Sequence, residues 1–248
     1  MNKRSVISLL LAVLLVFGLA GGVFAADYPQ NTFSDVKPGD WYNDAVNFAQ
    51  ATELMKGVGN NRFDPNGAVT RAMVVTVLYR MADQPDVSDK ANPFSDVSNA
   101  ESNWYLNAVK WAVAAGVTKG ASATTFAPEK PISREQMAAM IMRFSFADSG
   151  DASVLDQMNA FDPDGKLALS LLTGELDASQ FSSDLPAAAA FHGFQDAKTI
   201  SSYARWNVLF CALMGIMKGD TSGNFRPQAT LTRAECAQTF LNYLSLGD

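Results

Sequence analysis

One pattern of residues occurs three times in this chain of 248 residues and constrains the fold more than any single motif. Each copy begins with Phe-x-Asp, continues through an aromatic residue and a Lys-Gly pair to Phe-x-Pro, and ends in Ser/Thr-Arg. The closing arginines are Arg71, Arg134 and Arg233, so the copies are offset by 63 and then by 99 positions. Units this short do not bury a core singly, which predicts that the copies pack against one another.

Each copy predicts a helix, a long loop and a second helix. In the first copy, Ala45, Phe48 and Ala49 recur at helical spacing, and Asp40 is the predicted N-cap of a helix that begins at Trp41. A second apolar helix follows the Ser/Thr of each copy. The sequence therefore predicts an all-α fold in which three helix-loop-helix units pack as a pseudo-threefold, three-pronged bundle.

The two cysteines, Cys211 and Cys236, lie on the apolar faces of the two helices predicted in the third copy. These helices are expected to pack against each other. The equivalent positions in the other copies are apolar, so both thiols are predicted to be buried. A disulfide and two packed thiols both remain open at this stage.

The first 25 residues are typical of a signal peptide. Lys3 and Arg4 precede an apolar run over 6–19, and Val23 and Ala25, at the positions that a signal peptidase reads, predict cleavage after Ala25. A membrane anchor is the competing interpretation, because the apolar run is nearly long enough to span a bilayer. The formal net charge is −6 and becomes more negative after cleavage, which disfavours nucleic acid as a partner.

The arginines stand where helix electrostatics do not favour them. A cation in the first turn of a helix opposes the macrodipole, yet Arg71, Arg134 and Arg233 all occupy that turn. Each of them either pairs with an acid of the same chain or binds an anion from outside. The internal candidates are Asp35, Asp96 and Asp196. Two predicted capping boxes explain the neighbouring residues, Ser133 with Gln136 and Thr232 with Glu235.

A lysine directly before a glycine is the second cation of every copy. The pairs are Lys56 with Gly57, Lys119 with Gly120, and Lys218 with Gly219. Lysine near the end of a helix is a routine structural choice, and the glycine permits a positive φ or a close backbone approach. An arginine, a lysine and open backbone amides would nevertheless suit a carboxylate.

An aromatic residue begins the first predicted helix of every copy. The three are Trp41, Trp104 and Tyr203. Packing in the core is the default role for such residues, and stacking on a sugar ring is the alternative.

Signatures of catalysis and of metal binding are weak in this sequence. The one histidine, His192, has no nearby motif for a catalytic triad or a metal site. Residues 162–165 begin like a calcium loop but lack the later ligands of an EF-hand. The chain is therefore expected not to be an enzyme and to need no metal or cofactor.

Taken together, the Phe-x-Asp, aromatic, Lys-Gly, Phe-x-Pro and Thr-Arg-Ala-Glu-like elements resemble the S-layer homology domain. The copies cover 32–82, 92–145 and 194–244, after the signal peptide 1–25 and with an insertion at 146–193. The resemblance implies non-covalent binding to secondary cell-wall polysaccharide of a Gram-positive-type envelope, usually through pyruvylated N-acetylmannosamine. It assigns carboxylate contacts to Arg71, Arg134 and Arg233, in grooves between neighbouring repeats.

The copies depart from the family pattern in ways that predict unequal grooves. Met73 and Gln136 stand where the third copy has Glu235, and Tyr203 replaces a tryptophan. Short helices are predicted at 153–160 and 166–172 in the insertion, which would enlarge one junction. The resemblance implies a secreted protein at the cell wall or S-layer. The alternative is an envelope protein that acts through protein–protein contacts.

Overall fold

The computed structural model describes residues 28–148, 152–176 and 191–246, and within these ranges the fold is all-helical. The predicted signal peptide lies outside the described residues. The helices are α1 Asn43–Ala51, α2 Arg71–Met81, α3 Leu106–Ala114, α4 Arg134–Asp148, α5 Ala152–Phe161, α6 Lys166–Leu172, α7 Arg205–Leu213 and α8 Arg233–Leu244. Short 3₁₀ turns at Ala197–Thr199 and Ser202–Ala204 precede α7. None of the described helices has the length and apolar character to cross a bilayer.

The repeat register predicts where the helices lie, but not the first residue of α1. The bounds of α1, α3 and α7 keep the offsets of 63 and 99, as do the starts of α2, α4 and α8. Helix α1 begins at Asn43, two residues later than predicted. The carboxylate of Asp40 caps no helix; it accepts the Lys37 N–H at 2.8 Å and so closes the preceding turn.

Three residues, one from each repeat, form the centre of the bundle. The Val69 N–H donates to the Leu231 carbonyl at 3.0 Å, Leu231 donates to Ile132 at 3.0 Å, and Ile132 donates to Val69 at 2.9 Å. All three side chains are fully buried. This closed ring of backbone hydrogen bonds satisfies groups that would otherwise be buried without partners. It accounts for the pseudo-threefold arrangement.

Helix packing joins one repeat to the next. Helix α2 packs against α3, α4 against α7, and α8 against α1. The ring pair Phe146 and Phe210, at 5.9 Å, belongs to the α4–α7 contact. The main packing of α7 is therefore with repeat 2, and not with α8 of its own repeat as the sequence suggested. Because α8 packs against α1, the second helix of every repeat packs against the first helix of the following repeat.

The aspartate of each Phe-x-Asp motif holds the loop that precedes Phe-x-Pro. Asp35 accepts the N–H groups of Phe63 and Asp64 at 2.8 and 2.9 Å; Asp96 and Asp196 do the same at the equivalent positions. The residue after each phenylalanine has φ of 57–59°, which side chains other than glycine rarely adopt. Burial opposes ionisation of Asp35, but these hydrogen bonds outweigh it and lower the pKa of that carboxyl.

Both cysteines are buried free thiols, so the alternative of two packed thiols is confirmed. Burial raises the pKa of Cys236 to about 12 and also raises that of Cys211. The Cys211 Sγ lies 3.8 Å from the Ala138 carbonyl of α4. These thiols therefore serve as small core side chains and are poor nucleophiles.

The insertion contains two helices, α5 and α6, close to the segments predicted for them. Asp162 resembles the start of a calcium loop, but its carboxylate accepts the N–H groups of Lys166 and Leu167 at 2.8 and 3.0 Å. It therefore caps the start of α6. Helix α5 packs on α4, and α6 packs on α7, so the insertion covers one side of the contact between repeats 2 and 3.

The substitution Gly120→Ala is expected to lower the free energy of unfolding by about 2–3 kcal/mol. Gly120 has φ of +85°, and a Cβ there would lie 2.5 Å from Cε1 of Phe94. Gly116→Ala is the matched control, because its φ is +74° with no atom within 4 Å, and it should cost only about 1 kcal/mol. Urea unfolding of both variants measures the difference. Equal losses would show that the contact with Phe94 is without consequence.

Candidate anion-binding grooves

Each repeated arginine extends into the following repeat and binds its Phe-x-Pro loop. The Nε–H donates to the phenylalanine carbonyl at 2.6–2.8 Å. The guanidinium carbon also lies 4.6–4.9 Å from the centroid of the same ring, within cation–π distance. The pairs are Arg71 with Phe126, Arg134 with Phe225, and Arg233 with Phe63.

Of the two alternatives that the sequence left open for the arginines, pairing with Asp35, Asp96 or Asp196 is not observed, because these carboxylates bind backbone N–H groups. The three arginines are only 5–6% exposed. Burial lowers the pKa of each guanidinium, but arginine remains charged in proteins. The arginines are thus structural links between repeats, and any contact with a ligand would be additional.

The Nη2 group distinguishes Arg71 from the other two arginines. In Arg134 it donates to the Lys218 carbonyl at 2.8 Å, and in Arg233 it donates to the Lys56 carbonyl at 2.7 Å. In Arg71 the same atom is buried without a hydrogen-bond partner. Arg71 Nη2 therefore lacks the carbonyl acceptor that the equivalent atoms of Arg134 and Arg233 have. A buried donor of a charged group without a partner lowers the stability of the fold.

The junction of repeats 1 and 2 contains a groove of about 320 Å³, here called the 1–2 groove. Four cationic residues line it: Arg71, Lys119, Lys130 and Arg143. No acidic residue is among its lining residues in the described part of the chain. Gly120 and the aromatic Tyr203 also line it, so the groove combines residues from all three repeats.

Arg143 has lost the hydrogen bond that its counterparts make. In repeat 1, Arg80 Nη1 donates to the Leu54 carbonyl at 2.8 Å. In repeat 3, Asn242 Nδ2 donates to the equivalent carbonyl, that of Ile216, at 3.1 Å. Among the residues that the structure describes, Arg143 donates no hydrogen bond and forms no salt bridge, and it lines the 1–2 groove. Partial burial lowers its pKa, but it keeps its charge.

Tyr203 is held at the edge of the 1–2 groove by Glu135. The Tyr203 hydroxyl donates to Glu135 Oε1 at 3.2 Å, and Ser201 and Gln228 bind the same carboxylate at 2.8–3.0 Å. Partial burial, together with the negative charge of Glu135, raises the pKa of Tyr203 to about 12. The tyrosine therefore stays protonated, and the residue as a whole is 52% exposed. Its position at a groove favours the stacking alternative over core packing.

A groove of about 200 Å³ lies at the junction of repeats 2 and 3, here called the 2–3 groove. It is lined by the cations Arg134, Lys218 and Arg226, by Glu235, by Gly219 and by Trp41 of repeat 1. Glu235 Oε1 lies 3.0 Å from Arg226 Nη2 and 3.5 Å from Arg134 Nη1. A carboxylate of the protein therefore already neutralises part of the positive charge in this groove.

The junction of repeats 3 and 1 lacks an equivalent carboxylate at the capping position, where Met73 stands. The negative charge of Asp64 nevertheless acts on Arg233. Lys56 is exposed here, and its carbonyl binds Arg233. Trp104 is 57% exposed and packs edge-to-face on Tyr105 at 5.0 Å.

The glycines of the Lys-Gly pairs serve internal packing. A Cβ at Gly57, Gly120 or Gly219 would lie within 2.5–3.0 Å of the first phenylalanine ring of its own repeat. The close approach predicted from the sequence is therefore made by a side chain of the protein. The lysines that precede these glycines are exposed in all three repeats.

Sequence reasoning missed Lys130 and Arg143, which line the 1–2 groove, and Glu135, which holds Tyr203 at its edge. Lys130 stands where Gly67 and Ala229 occur, and Glu135 stands where Ala72 and Ala234 occur. The third is Arg143, whose counterparts are Arg80 and Asn242. A comparison of equivalent positions among the repeats would have found Lys130 and Glu135. The loss of the hydrogen bond at Arg143 needs the structure.

The predicted capping boxes are present. Thr232 Oγ1 accepts the Glu235 N–H at 3.2 Å, and Glu235 Oε2 accepts the Thr232 N–H at 2.9 Å. Ser133 and Gln136 make the same exchange with both distances at 3.4 Å. Across the described ranges, no three His, Cys, Asp or Glu side chains come together as a metal site.

Comparison with known proteins places these features in a family. The model of the S-layer homology domain matches residues 32–72, 93–138 and 193–237. An amylopullulanase of Thermoanaerobacterium thermosulfurigenes is 28% identical over 214 residues, which are 86% of this chain and 10% of that protein. Exoglucanase XynX of Acetivibrio thermocellus is 27% identical over 226 residues, which are 90% of this chain and 17% of that protein.

An S-layer protein of Bacillus thuringiensis subsp. finitimus is 24% identical over 237 residues, 96% of this chain and 24% of that protein. The chain thus spans at most about a quarter of the length of these relatives. The match to the family model covers all three repeats and includes the arginines that link them. The chain therefore belongs to the S-layer homology domain family.

Proposed function

We propose that this protein attaches non-covalently to the cell wall by binding an anionic wall polysaccharide, and that the 1–2 groove is its principal site. Membership in the S-layer homology family and the S-layer relatives support association with the cell wall in general. The matched segments are those of a wall-binding module, so no catalytic activity is proposed. Pyruvylated N-acetylmannosamine is the proposed recognised sugar.

The unpartnered Nη2 of Arg71 is the observation that carries this proposal. It belongs to a groove lined by four cations and by no acid, where a carboxylate would supply the missing acceptor. Tyr203, itself half exposed, offers a ring beside the same groove for stacking against a sugar. The volume of about 320 Å³ is at the small end of the range for ligand sites, about 300–1,000 Å³.

The three junctions are expected to bind unequally. Glu235 competes with a ligand carboxylate for Arg134 and Arg226 in the 2–3 groove. In the third junction, Asp64 would repel an anion close to Arg233. Trp41, Trp104, Lys56 and Lys218 remain candidate contacts at these weaker sites, whose engagement on one polymer would add to the total affinity.

Co-sedimentation with purified cell walls that carry pyruvylated polysaccharide tests the proposal. We expect the protein to pellet with intact walls and to remain in solution after the polysaccharide has been removed. The methyl glycoside of 4,6-pyruvylated N-acetylmannosamine should compete, whereas the same glycoside without pyruvate should not. Pelleting that survives removal of the polysaccharide would contradict the proposal and favour a structural role through protein–protein contacts.

A further inference from the structure

A second chamber of about 260 Å³ adjoins the 1–2 groove and includes part of the insertion. It lies between the end of α3, the helix α4, the insertion helix α5 and the start of α7. Lys119, Arg143 and Tyr203 line both the chamber and the groove. The two spaces are therefore neighbours that share two cations and an aromatic ring.

The residues that α7 contributes to the chamber differ from those of the other repeats. Trp206 is 5% exposed, whereas its counterparts Asp44 and Asn107 are exposed to solvent. Its indole Nε1–H is buried without a hydrogen-bond partner. This donor would gain a partner if a ligand placed an oxygen near it.

Asn207 is a second polar replacement in the chamber. The equivalent residues, Ala45 and Ala108, are fully buried alanines. The Asn207 amide donates to the Met142 sulfur at 3.2 Å, and a thioether is a weak acceptor. A buried asparagine with such a poor partner retains capacity for a stronger hydrogen bond.

The insertion helix adds groups that suit sugar hydroxyls. Asp156 and Asn159 of α5 line the chamber and are exposed at its edge. A carboxylate accepts hydrogen bonds from hydroxyl groups, and an amide both donates and accepts them. Together with the indole N–H and the two shared cations, these groups offer a saccharide several hydrogen-bonding partners, beside the apolar Met142 and Met158.

We propose that this chamber is a second sugar subsite, which binds the residue next to the anionic sugar held in the 1–2 groove. The inference rests on the proposed function and extends it to the length of glycan recognised. Arg143 lines both spaces, and it does not make the hydrogen bond that Arg80 and Asn242 make. The ligand class is therefore an anionic oligosaccharide of at least two residues.

Calorimetric titration with two sugars tests the subsite. The probes are the methyl glycoside of 4,6-pyruvylated N-acetylmannosamine and a disaccharide in which that residue is joined to a second hexosamine. The wild-type protein should bind the disaccharide about tenfold more tightly than the monosaccharide, as expected for a few additional hydrogen bonds. Equal affinities for the two sugars would overturn the subsite and leave the proposed function intact.

Two variants localise the effect. Asn207→Ala restores the residue of the other repeats, and Asn159→Trp fills the edge of the chamber. Both should remove most of the tenfold advantage of the disaccharide and leave the affinity for the monosaccharide within twofold. Gln157→Trp is the matched control, because Gln157 is exposed on the same helix and does not line the chamber.

The possible outcomes distinguish a failure of the second subsite from a failure of the proposed function. If the disaccharide keeps its full advantage in Asn207→Ala and Asn159→Trp, the chamber is not the subsite. If the control Gln157→Trp loses the advantage as well, the effect is not local to the chamber and the inference fails. If neither sugar binds the wild-type protein, the proposed function fails, and the subsite fails with it.

Discussion

Arg71→Ala is expected to weaken binding of the pyruvylated monosaccharide by about 10- to 100-fold, while the protein remains folded. A charge-assisted hydrogen bond to a carboxylate contributes about 1.5–3 kcal/mol, which corresponds to this range. The structural loss is moderate, because Arg71 makes one hydrogen bond, to the Phe126 carbonyl, and its Nη2 has no partner to lose. Calorimetric titration and pelleting with cell walls measure the effect.

Lys37→Ala is the control for the change in net charge. Lys37 is an exposed cation of repeat 1 that does not line the 1–2 groove, so its loss should change affinity less than twofold. Circular dichroism at the temperature of the titration verifies that both variants are folded. If Arg71→Ala binds as tightly as Lys37→Ala, Arg71 does not contact the ligand, and the carboxylate assignment to the 1–2 groove is wrong.

The repeat pattern was sufficient to predict the helices because the copies share one register. The starts of α2, α4 and α8 follow directly from the Ser/Thr that caps each of them, since a capping residue is a local signal. The all-α class and the pseudo-threefold arrangement were predicted for the same reason. Helix pairing was predicted less well, because an apolar face shows that a helix is buried but not which helix covers it.

The roles of the arginines could not be derived from the sequence because their partners are backbone carbonyls. Every residue has a carbonyl, so Phe63 and Phe126 carry no sequence signal for this bond. The sequence offered aspartates as partners, and these proved to bind the loop N–H groups instead. The role of Arg143 in the 1–2 groove could not be derived from the sequence either. Arg143 does not make the hydrogen bond that Arg80 and Asn242 make, and only a three-dimensional comparison of the repeats shows this.

Arg233→Ala is expected to lower the free energy of unfolding by about 3–5 kcal/mol, more than the same change at Arg71. The side chain makes two hydrogen bonds to carbonyls, at 2.6 Å to Phe63 and 2.7 Å to Lys56, each worth about 1.5–3 kcal/mol when the donor is charged. Its stacking on the Phe63 ring adds about 1 kcal/mol. The substitution also removes a buried charge and its desolvation cost, which offsets part of the expected loss.

The comparison of Arg233→Ala with Arg71→Ala isolates the second carbonyl bond. Both arginines are about 95% buried and stack on equivalent rings, but only Arg233 uses its Nη2. The difference between the two losses in urea unfolding should therefore be at least about 1.5 kcal/mol. Arg233→Met, which keeps most of the apolar stem, should recover little of the lost stability, because that stability comes from the contacts of the guanidinium.

Equal losses of unfolding free energy at Arg71 and Arg233 would mean that the hydrogen bond to the Lys56 carbonyl contributes nothing. The closure of repeat 3 onto repeat 1 would then rest on the α8–α1 packing and the central backbone ring.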